Sequence, residues 1–491
     1  MLKKKFYITT SIAYTNAAPH LGFALELVQA DVLARYHRLL KEDVFFLTGT
    51  DEHGLKIERK AKEANKSPLQ FTTELAEKFK ELTRVLNISN NDFIRTTDQQ
   101  KHWPTVEKVW QQLVAKADIY KKQYQGFYCL GCEAFVKEKD LINGRCPYHQ
   151  KKPELVSEEN YFFRLSKYVP KVKKEIEKDK IKIIPITRKN EILSFLNQEE
   201  IEDISVSRAK SKCGWGIPVP NDPEQVIYVW FEALLNYLFP KEYWPADVQC
   251  LGKDILRFHA VIWPAILLAV GLPRPKTIFV HGFITAGGQK MAKSLGNVVD
   301  PFALVKNYGA DAVRYFLLRE IPASEDGDFT IEKFEKRYNA DLAKGLGNLV
   351  ARVITLAKIS NFKFLISKPQ SRTSSLRGRQ IPNPKFQKLI NETSKKYKTA
   401  LEKFKFNEAL IAIWDLISFC DKYIERQQPW RLLPSNPKSE IRNPKLRETL
   451  FNLLFALDNI AQMLQSFLPQ TSEKILKQIK TKKSEILFPR I

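Results

Sequence analysis

Four candidate metal ligands lie in two closely spaced pairs. Cys129 and Cys132 form the first pair, and Cys146 and His149 follow after 13 intervening residues. Two such pairs of thiolate and imidazole ligands can meet around one tetrahedral Zn²⁺, which leaves no coordination position open for catalysis. The spacing predicts one structural zinc ion, which would fold a knuckle too small to have a core of its own. The alternative interpretation is a set of surface thiols that bind no metal.

Two further segments have residue types suited to binding phosphate. The segment PHLG at residues 19–22 places His20 and Gly22 before an apolar helical pattern, at a helix N-terminus where anions are favoured. Far along the chain, Lys290 and Lys293 follow a pair of glycines, and their ammonium groups can stabilise a developing pyrophosphate charge. Taken singly, each segment has a plain alternative: a loop histidine that packs locally, and a solvated basic loop.

The first of these segments follows the opening strand of a predicted βαβ unit. Residues 6–10 and 44–48 are apolar runs typical of buried strands, and residues 24–40 carry apolar side chains at approximately helical spacing. A βαβ unit gives parallel strands, whose carboxyl ends are where ligands bind. Function is therefore predicted at residues 10–22 and 49–54.

The rest of the chain predicts an interrupted α/β domain followed by helices. A second group of elements begins near residue 118 and includes the cysteines and a lysine-rich helix at residues 165–180. From residue 331 the apolar residues form helical stripes. The predicted domains are residues 1–117 and 226–330 for the two halves of the α/β domain, 118–225 for an insertion with its knuckle at 129–149, and 331–491 for a helical bundle.

Composition and charge restrict the class of protein. The 491 residues are 44% hydrophobic and 27% charged, which is typical of a globular chain of about three domains. The net charge of +24 favours a polyanionic partner such as nucleic acid, although a basic proteome would give the same excess. Six cysteines are too few for a disulfide framework, and the longest apolar stretch, residues 260–272, is too short to span a membrane. We predict a cytoplasmic protein that does not associate with membranes.

Six segments, taken in order, resemble the methionyl-tRNA synthetase family of class I aminoacyl-tRNA synthetases. They are SIAYTNAAPHLG at residues 11–22, FLTGTDEHG at 46–54, YVWFEALLNY at 228–237, LGKDILRFH at 251–259, VHGF at 280–283 and KMAKSLGNVVDP at 290–301. The resemblance implies an α/β fold, with a Rossmann-type class I synthetase catalytic domain that carries a zinc-knuckle insertion, followed by an α-helical anticodon-binding bundle. It also implies methionine–tRNA ligase activity, with L-methionine, ATP and both initiator and elongator tRNA(Met) as partners and with Mg²⁺ accompanying the ATP.

The resemblance also implies which residues bind the small substrates. The implied methionine pocket consists of Ser11, Ile12, Tyr14, Asp51, Trp230, Ala233, Tyr237, Ile255 and His259. Within it, Asp51 would hold the substrate ammonium. The residues that would surround the thioether are Trp230, Tyr237, Ile255 and His259, since sulfur contacts aromatic edges favourably. The implied ATP contacts are His20, Gly22, Asp254 on the ribose, and Lys290 and Lys293 on the phosphates, with His20 and the two lysines implied as catalytic.

The implied anticodon readers lie in the bundle. Asn348 and Arg352 are four residues apart on a predicted helix, and Trp430 follows another helix. Stacking on an aromatic ring and hydrogen bonding by polar side chains are the usual means of recognising unpaired bases. The alternative for Trp430 is packing within the bundle.

The sequence departs from the family pattern at several positions. Phe23 occupies the place of the second histidine of the His-Leu-Gly-His signature, Ala292 replaces the usual serine between the lysines, and Glu232 replaces a commoner aspartate. Because a phenyl ring cannot donate to phosphate, an alternative function is a catalytically weakened tRNA-binding protein. Another is a class I synthetase for a different apolar or sulfur-containing amino acid. The short insertion predicts no editing domain, and we expect a monomer.

Overall fold

The computed structural model describes two compact units, Met1–Phe283 and Ile284–Ile491. The described residues are 3–131, 133–136, 138–147, 150–198, 201–290, 297–362, 382–433 and 443–491, with only the backbone described at 134, 139, 198 and 290. No helix within these ranges is both long and apolar enough to cross a membrane.

The first unit contains fourteen strands and eight α-helices among its described residues. The strands are β1 (Lys5–Thr10), β2 (Ala13–Tyr14), β3 (Asp43–Asp51), β4 (Asp92–Arg95), β5 (Ile119–Cys129), β6 (Ala134–Val136), β7 (Glu154–Phe163), β8 (Lys182–Ile184), β9 (Ile204–Ser205), β10 (Ser207–Ala209), β11 (Pro218–Val219), β12 (Asp222–Ile227), β13 (Val248–Gly252) and β14 (Thr277–His281). The helices are α1 (Leu21–Leu39), α2 (Leu55–Glu63), α3 (Pro68–Val85), α4 (Trp103–Ala115), α5 (Leu165–Glu177), α6 (Ile186–Gln198), α7 (Val229–Leu234) and α8 (Trp263–Ala269).

Seven of these strands form one parallel sheet. Its order is β4-β3-β1-β13-β14-β8, and β2 pairs with the last two residues of β3. The predicted strand, helix and strand at the start of the chain are confirmed as β1, α1 and β3. From β1 the chain order runs outward in both directions, to β3 and β4 on one side and to β13 and β14 on the other. The edge between β1 and β13 is thus the topological switch point at which such sheets bind ligands.

The predicted insertion is built mainly from antiparallel strands. β5 and β7 pair over ten residues each, and β6 and β9 complete a four-stranded sheet. The predicted lysine-rich helix is confirmed as α5, which buries Val172 and Ile176. β8, which lies within the residues that the sequence assigned to the insertion, instead joins the edge of the main sheet by pairing with β14.

The second unit is mostly helical. Its strands are β15 (Ile284–Ala286), β16 (Gln289–Lys290) and β17 (Gly327–Phe329). Its helices are α9 (Pro301–Tyr308), α10 (Ala310–Arg319), α11 (Ile331–Arg337), α12 (Asn348–Ile359), α13 (Pro384–Glu402), α14 (Phe406–Gln427), α15 (Pro444–Leu464) and α16 (Pro469–Thr481), with π-helical turns at Tyr338–Gly347.

Both predicted apolar stripes of the bundle are buried, one along residues 342–354 and one along α15. The helical bundle is therefore confirmed. The compact unit begins at Ile284, whereas the sequence pattern becomes helical only at Ile331. The predicted loop at residues 367–385 lies almost wholly outside the described residues.

Candidate active site

A buried ion pair lies at the switch point between β1 and β13. The backbone N–H of Ser11 donates to the Cys250 carbonyl at 2.9 Å, which continues the sheet past the end of β1. The Ser11 hydroxyl donates to Glu26 Oε1 at 2.6 Å, and Glu26 Oε2 lies 2.8 Å from His281 Nε2. Burial lowers the pKa of His281, but the hydrogen bond and charge of Glu26 raise it overall. The pair therefore holds Ser11, one of the implied methionine residues, in a fixed position.

His20 directly precedes α1 as its N-cap residue and is exposed. Its Nδ1 accepts the backbone N–H of Gly22 at 3.1 Å, so the neutral ring carries its proton on Nε2. Loss of hydration lowers the pKa of His20, and the charge of Asp254 partly opposes this. A Cβ atom at position 22 would come within 2.9 Å of the His20 ring, so a side chain there would displace the ring. At the next position, Phe23 packs edge-to-face on Phe79 with ring centroids 5.1 Å apart.

Asp51 ends β3 as a buried carboxylate. The residue is 4% exposed, and its Oδ1 has no hydrogen-bond partner among the described residues. Burial raises the pKa of Asp51 well above its usual range, and the charge of Glu232 raises it further. A buried carboxylate oxygen without a partner is costly unless a ligand supplies a donor. The site therefore suits a cationic ligand.

Two histidines hold Glu232, the residue that departs from the family pattern. His53 Nδ1 lies 2.8 Å from its Oε1, and His102 Nε2 lies 2.6 Å from its Oε2. All three side chains are buried. Burial acts to raise the pKa of Glu232, but the two histidines lower it overall. Glu232 is therefore an anion whose position is fixed from both sides.

The implied aromatic pocket pairs its polar atoms internally. The Tyr237 hydroxyl lies 2.8 Å from His259 Nε2, and His259 Nδ1 lies 3.0 Å from the Ile255 carbonyl. Burial lowers the pKa of His259 to about 4, so the ring is neutral at pH 7, donates from Nδ1 and accepts at Nε2. Trp230 stacks on Phe258 with ring centroids 4.0 Å apart. Because Tyr237 and His259 bond to each other, their polar atoms need no partner from a ligand.

The remaining implied residues fall at different places. Ile12 is half-buried just after β1, and Ala233 is buried in α7. Thus the implied methionine residues, together with His20, Gly22 and Asp254, all belong to the first unit. Lys290 belongs to the second unit, where only its backbone is described, and Lys293 lies outside the described residues.

The predicted zinc knuckle is described only in part. Cys129 ends β5 and Cys146 follows a short backbone bridge between Ile142 and Arg145, and both cysteines are buried. Cys132 and His149 lie outside the described residues. Within the part of the chain that is described, no group of three or more ligating side chains could hold a metal. The zinc site stays a prediction.

Of the implied anticodon residues, Asn348 and Trp430 are exposed and Arg352 is half-buried. Asn348 begins α12 and is exposed, and Arg352 Nη2 forms a 2.6 Å ion pair with Glu425 of α14. Trp430 follows α14 in a short 3-10 turn and is 42% exposed, so its indole is not a core residue of the bundle. Burial raises the pKa of nearby Asp421 to about 6, although Arg352 acts to lower it.

Several buried polar residues of the site were not found by sequence reasoning. Glu26, His53, His102 and Glu133 each bond to residues far along the chain. His53 and His281 stand within two of the quoted family segments, which was the available signal. Glu133 had no signal beyond its place beside Cys132.

Comparison with known proteins identifies the family. Residues 6–152 and 132–354 match tRNA synthetases class I (M), and residues 385–489 match the anticodon-binding domain of tRNA ligase. The methionine–tRNA ligase of Caldanaerobacter subterraneus subsp. tengcongensis is 42% identical over an alignment of 525 positions that covers 100% of this chain and 79% of that protein. The methionine–tRNA ligase of Thermotoga maritima is 41% identical over 497 positions, which cover 97% of this chain and 75% of that protein.

A solved structure agrees with this match. Mycobacterium tuberculosis methionyl-tRNA synthetase in complex with methionyl-adenylate has a TM-score of 0.88 and 37% sequence identity, over 96% of this chain and 93% of that chain. This methionyl-tRNA synthetase therefore shares the fold of the chain. The chain belongs to the methionine–tRNA ligase family of class I tRNA synthetases.

Proposed function

We propose that this chain is a methionine–tRNA ligase. It joins L-methionine to ATP, forming methionyl-adenylate and releasing pyrophosphate, and then transfers the methionyl group to the 3′ end of initiator and elongator tRNA(Met). The observation that carries this proposal is Asp51, a buried carboxylate whose Oδ1 has no partner among the described residues, at the ligand-binding edge of the sheet.

Methionine binds through its charge and its thioether. Asp51 accepts a hydrogen bond from the α-ammonium group, which supplies the donor that Asp51 Oδ1 lacks. Tyr237 and His259 are hydrogen-bonded to each other, so their ring carbons are left to contact the methionine side chain. Trp230 adds a further aromatic surface. Ser11, Ile12, Tyr14, Ala233 and Ile255 complete the proposed pocket.

ATP binds at the start of α1. His20 donates from Nε2 to the phosphates, Gly22 permits their close approach, and Asp254 accepts from the ribose hydroxyls. Lys290 and Lys293 bring positive charge to the pyrophosphate, with Mg²⁺ entering as part of the Mg-ATP substrate.

The chemistry needs no nucleophile from the protein. A carboxylate oxygen of methionine attacks the α-phosphorus, and the bond to the bridging oxygen breaks as Mg-pyrophosphate leaves. The terminal ribose hydroxyl of tRNA then attacks the adenylate carbonyl carbon, and AMP leaves. His20 and the two lysines act by charge and position, which is how such transfers are usually accelerated.

The remaining parts serve tRNA recognition and folding. Asn348, Arg352 and Trp430 contact the anticodon, and the exposure of Asn348 and Trp430 supports this role. One structural Zn²⁺ is held by Cys129, Cys132, Cys146 and His149, a donor set suited to a closed tetrahedral site. A monomeric state and a cytoplasmic location stay predictions from the sequence.

Methionine-dependent exchange of pyrophosphate into ATP tests the activity directly. We expect exchange with methionine but not with leucine, isoleucine or cysteine, followed by charging of tRNA(Met). Exchange with one of the other amino acids alone would assign a different specificity. Binding of tRNA without any exchange would replace the ligase by a tRNA-binding protein.

A further inference from the structure

Glu133 reaches from the insertion to a residue of the proposed methionine pocket. Its Oε1 accepts the Tyr14 hydroxyl at 3.0 Å, although the two residues are 119 positions apart in the chain. Its Oε2 accepts the Tyr128 hydroxyl of β5 at 2.6 Å. Glu133 is only 3% exposed, so these bonds are sheltered from water. The carboxylate thus links the insertion to β2.

The same carboxylate caps a helix. α2 begins after Gly54, which has no side chain to cap the exposed N–H groups of the first turn. Glu133 Oε1 accepts the N–H of Lys56 in that turn and so supplies the missing cap. A carboxylate is favoured at this end of a helix by the helix dipole.

The packing around Gly54 leaves the carboxylate and the Tyr14 hydroxyl little freedom. A Cβ atom at Gly54 would lie 3.0 Å from the Tyr14 hydroxyl oxygen and 3.3 Å from Glu133 Oε1. The backbone of Gly54 also has φ +107°, which other residues rarely adopt. Glycine therefore permits the close approach of β2, α2 and the insertion.

Tyr14 stands beside the residue proposed to bind the substrate ammonium. In the pairing of β2 with β3, Tyr14 is opposite Asp51, and the next backbone N–H, that of Thr15, donates to the Asp51 carbonyl at 2.9 Å. A shift of Tyr14 would therefore disturb the surroundings of Asp51. Glu133 fixes the Tyr14 hydroxyl and so fixes that side of the pocket.

We propose that Glu133 is a positioning residue for methionine binding, which holds Tyr14 and the first turn of α2 in the arrangement that accepts the amino acid. The inference rests on the proposed function. It gives the insertion an indirect part in methionine binding, through a residue that touches neither methionine nor ATP.

The Glu133→Gly variant tests this inference without adding backbone strain, and a thermal melt checks that the variant is folded. Glu133 has a left-handed backbone, φ +51°, which glycine adopts without penalty. We expect the dissociation constant of methionine, measured by titration calorimetry, to rise about tenfold through loss of hydrogen bonds to a charged group. In pyrophosphate exchange, KM for methionine rises in parallel, while KM for ATP and kcat at saturating methionine change less than about twofold.

Three further variants separate positioning from general damage. Glu133→Gln keeps an acceptor for Tyr14 and should recover most of the affinity. Glu154→Ala is the matched control, because Glu154 is another glutamate of the insertion that reaches α2, through an exposed 3.7 Å contact with Arg59; its methionine affinity should match that of the wild type. Tyr14→Phe combined with Glu133→Gly should bind methionine no more weakly than Glu133→Gly alone, since both changes remove one interaction.

Each other result overturns a defined part of the argument. A folded Glu133→Gly protein with wild-type affinity for methionine overturns the positioning role. An equal rise in KM for methionine and for ATP, together with a fall in kcat of the same size, also overturns it. Additive losses in the double variant overturn the route through Tyr14. If the wild type itself neither binds methionine nor catalyses exchange, the proposed function fails, and this inference fails with it.

Discussion

Replacing Asp51 by asparagine should weaken methionine binding and stabilise the protein without substrate. The substitution nearly preserves side-chain shape, removes the charge and replaces one acceptor oxygen by an amide NH2 donor. Asp51 is 4% exposed, and burial, followed by the charge of Glu232, raises the pKa of its carboxyl well above the usual range. In the absence of methionine, the ionised Asp51 carboxylate therefore destabilises the folded state.

The sign of the stability effect follows from this pKa. A carboxyl whose pKa is higher in the folded than in the unfolded protein lowers stability as pH rises from the unfolded value through the folded one. Each unit of difference corresponds to about 1.4 kcal/mol. Asp51→Asn should therefore raise Tm by about 2 °C or more near neutral pH. The difference should vanish below about pH 3, where the carboxyl is protonated in both states.

The binding effect has the opposite sign. Removing one partner of a buried charge pair costs about 2–5 kcal/mol, which is about 30- to 5,000-fold in the dissociation constant. Calorimetric titration with methionine and thermal melts with and without methionine measure both effects on one sample. Saturating methionine should raise Tm of the wild type and leave that of the variant almost unchanged.

Asp222→Asn is the matched control. Its hydrogen bond from Lys121 lowers the pKa of Asp222, so this substitution should slightly lower Tm and leave methionine affinity unchanged. The reasoning is refuted if Asp51→Asn binds methionine as tightly as the wild type. A lower Tm for Asp51→Asn at neutral pH would refute the conclusion that the ionised Asp51 carboxylate destabilises the folded protein.

Three other changes test separate parts of the proposal. Phe23→His restores a phosphate donor and should raise the rate of pyrophosphate exchange by about 10²-fold; an unchanged rate would show that position 23 does not limit activation. Tyr237→Phe leaves His259 Nε2 without its donor and should raise KM for methionine about tenfold with KM for ATP unchanged; equal changes in both KM values would contradict a role in methionine binding. Arg352→Ala should raise KM for tRNA(Met) about tenfold or more in aminoacylation and leave exchange unaffected; impaired exchange would place its effect outside tRNA recognition.

Local patterns in the sequence were sufficient for the main elements. β1, α1 and β3 follow from two apolar runs and one helical spacing, and they already place ligand binding at the carboxyl ends of the strands. The bundle follows from its apolar stripes, since burial of one helix face sets the spacing of its residues. Family resemblance, and not periodicity, selected Asp51 and the aromatic residues.

The edges of these elements depended on contacts distant in sequence. β8 is three residues long and has no pattern that separates it from the insertion, yet it pairs with β14. The second half of the α/β domain was predicted to begin at residue 226, but β12 already begins at Asp222, where it pairs with β10 and β11. The pairing partner decided each case, because a short strand gains its hydrogen bonds only from its neighbour.

The sequence by itself determined the family, the α/β and helical parts of the chain, and the residue types available at the site. The tertiary structure alone decided which charges meet. His281 pairs with Glu26 across 255 positions, and His53 pairs with Glu232 across 179. The physical reason is that a buried charge is tolerated only beside its partner, and strand order and packing determine which partner is near.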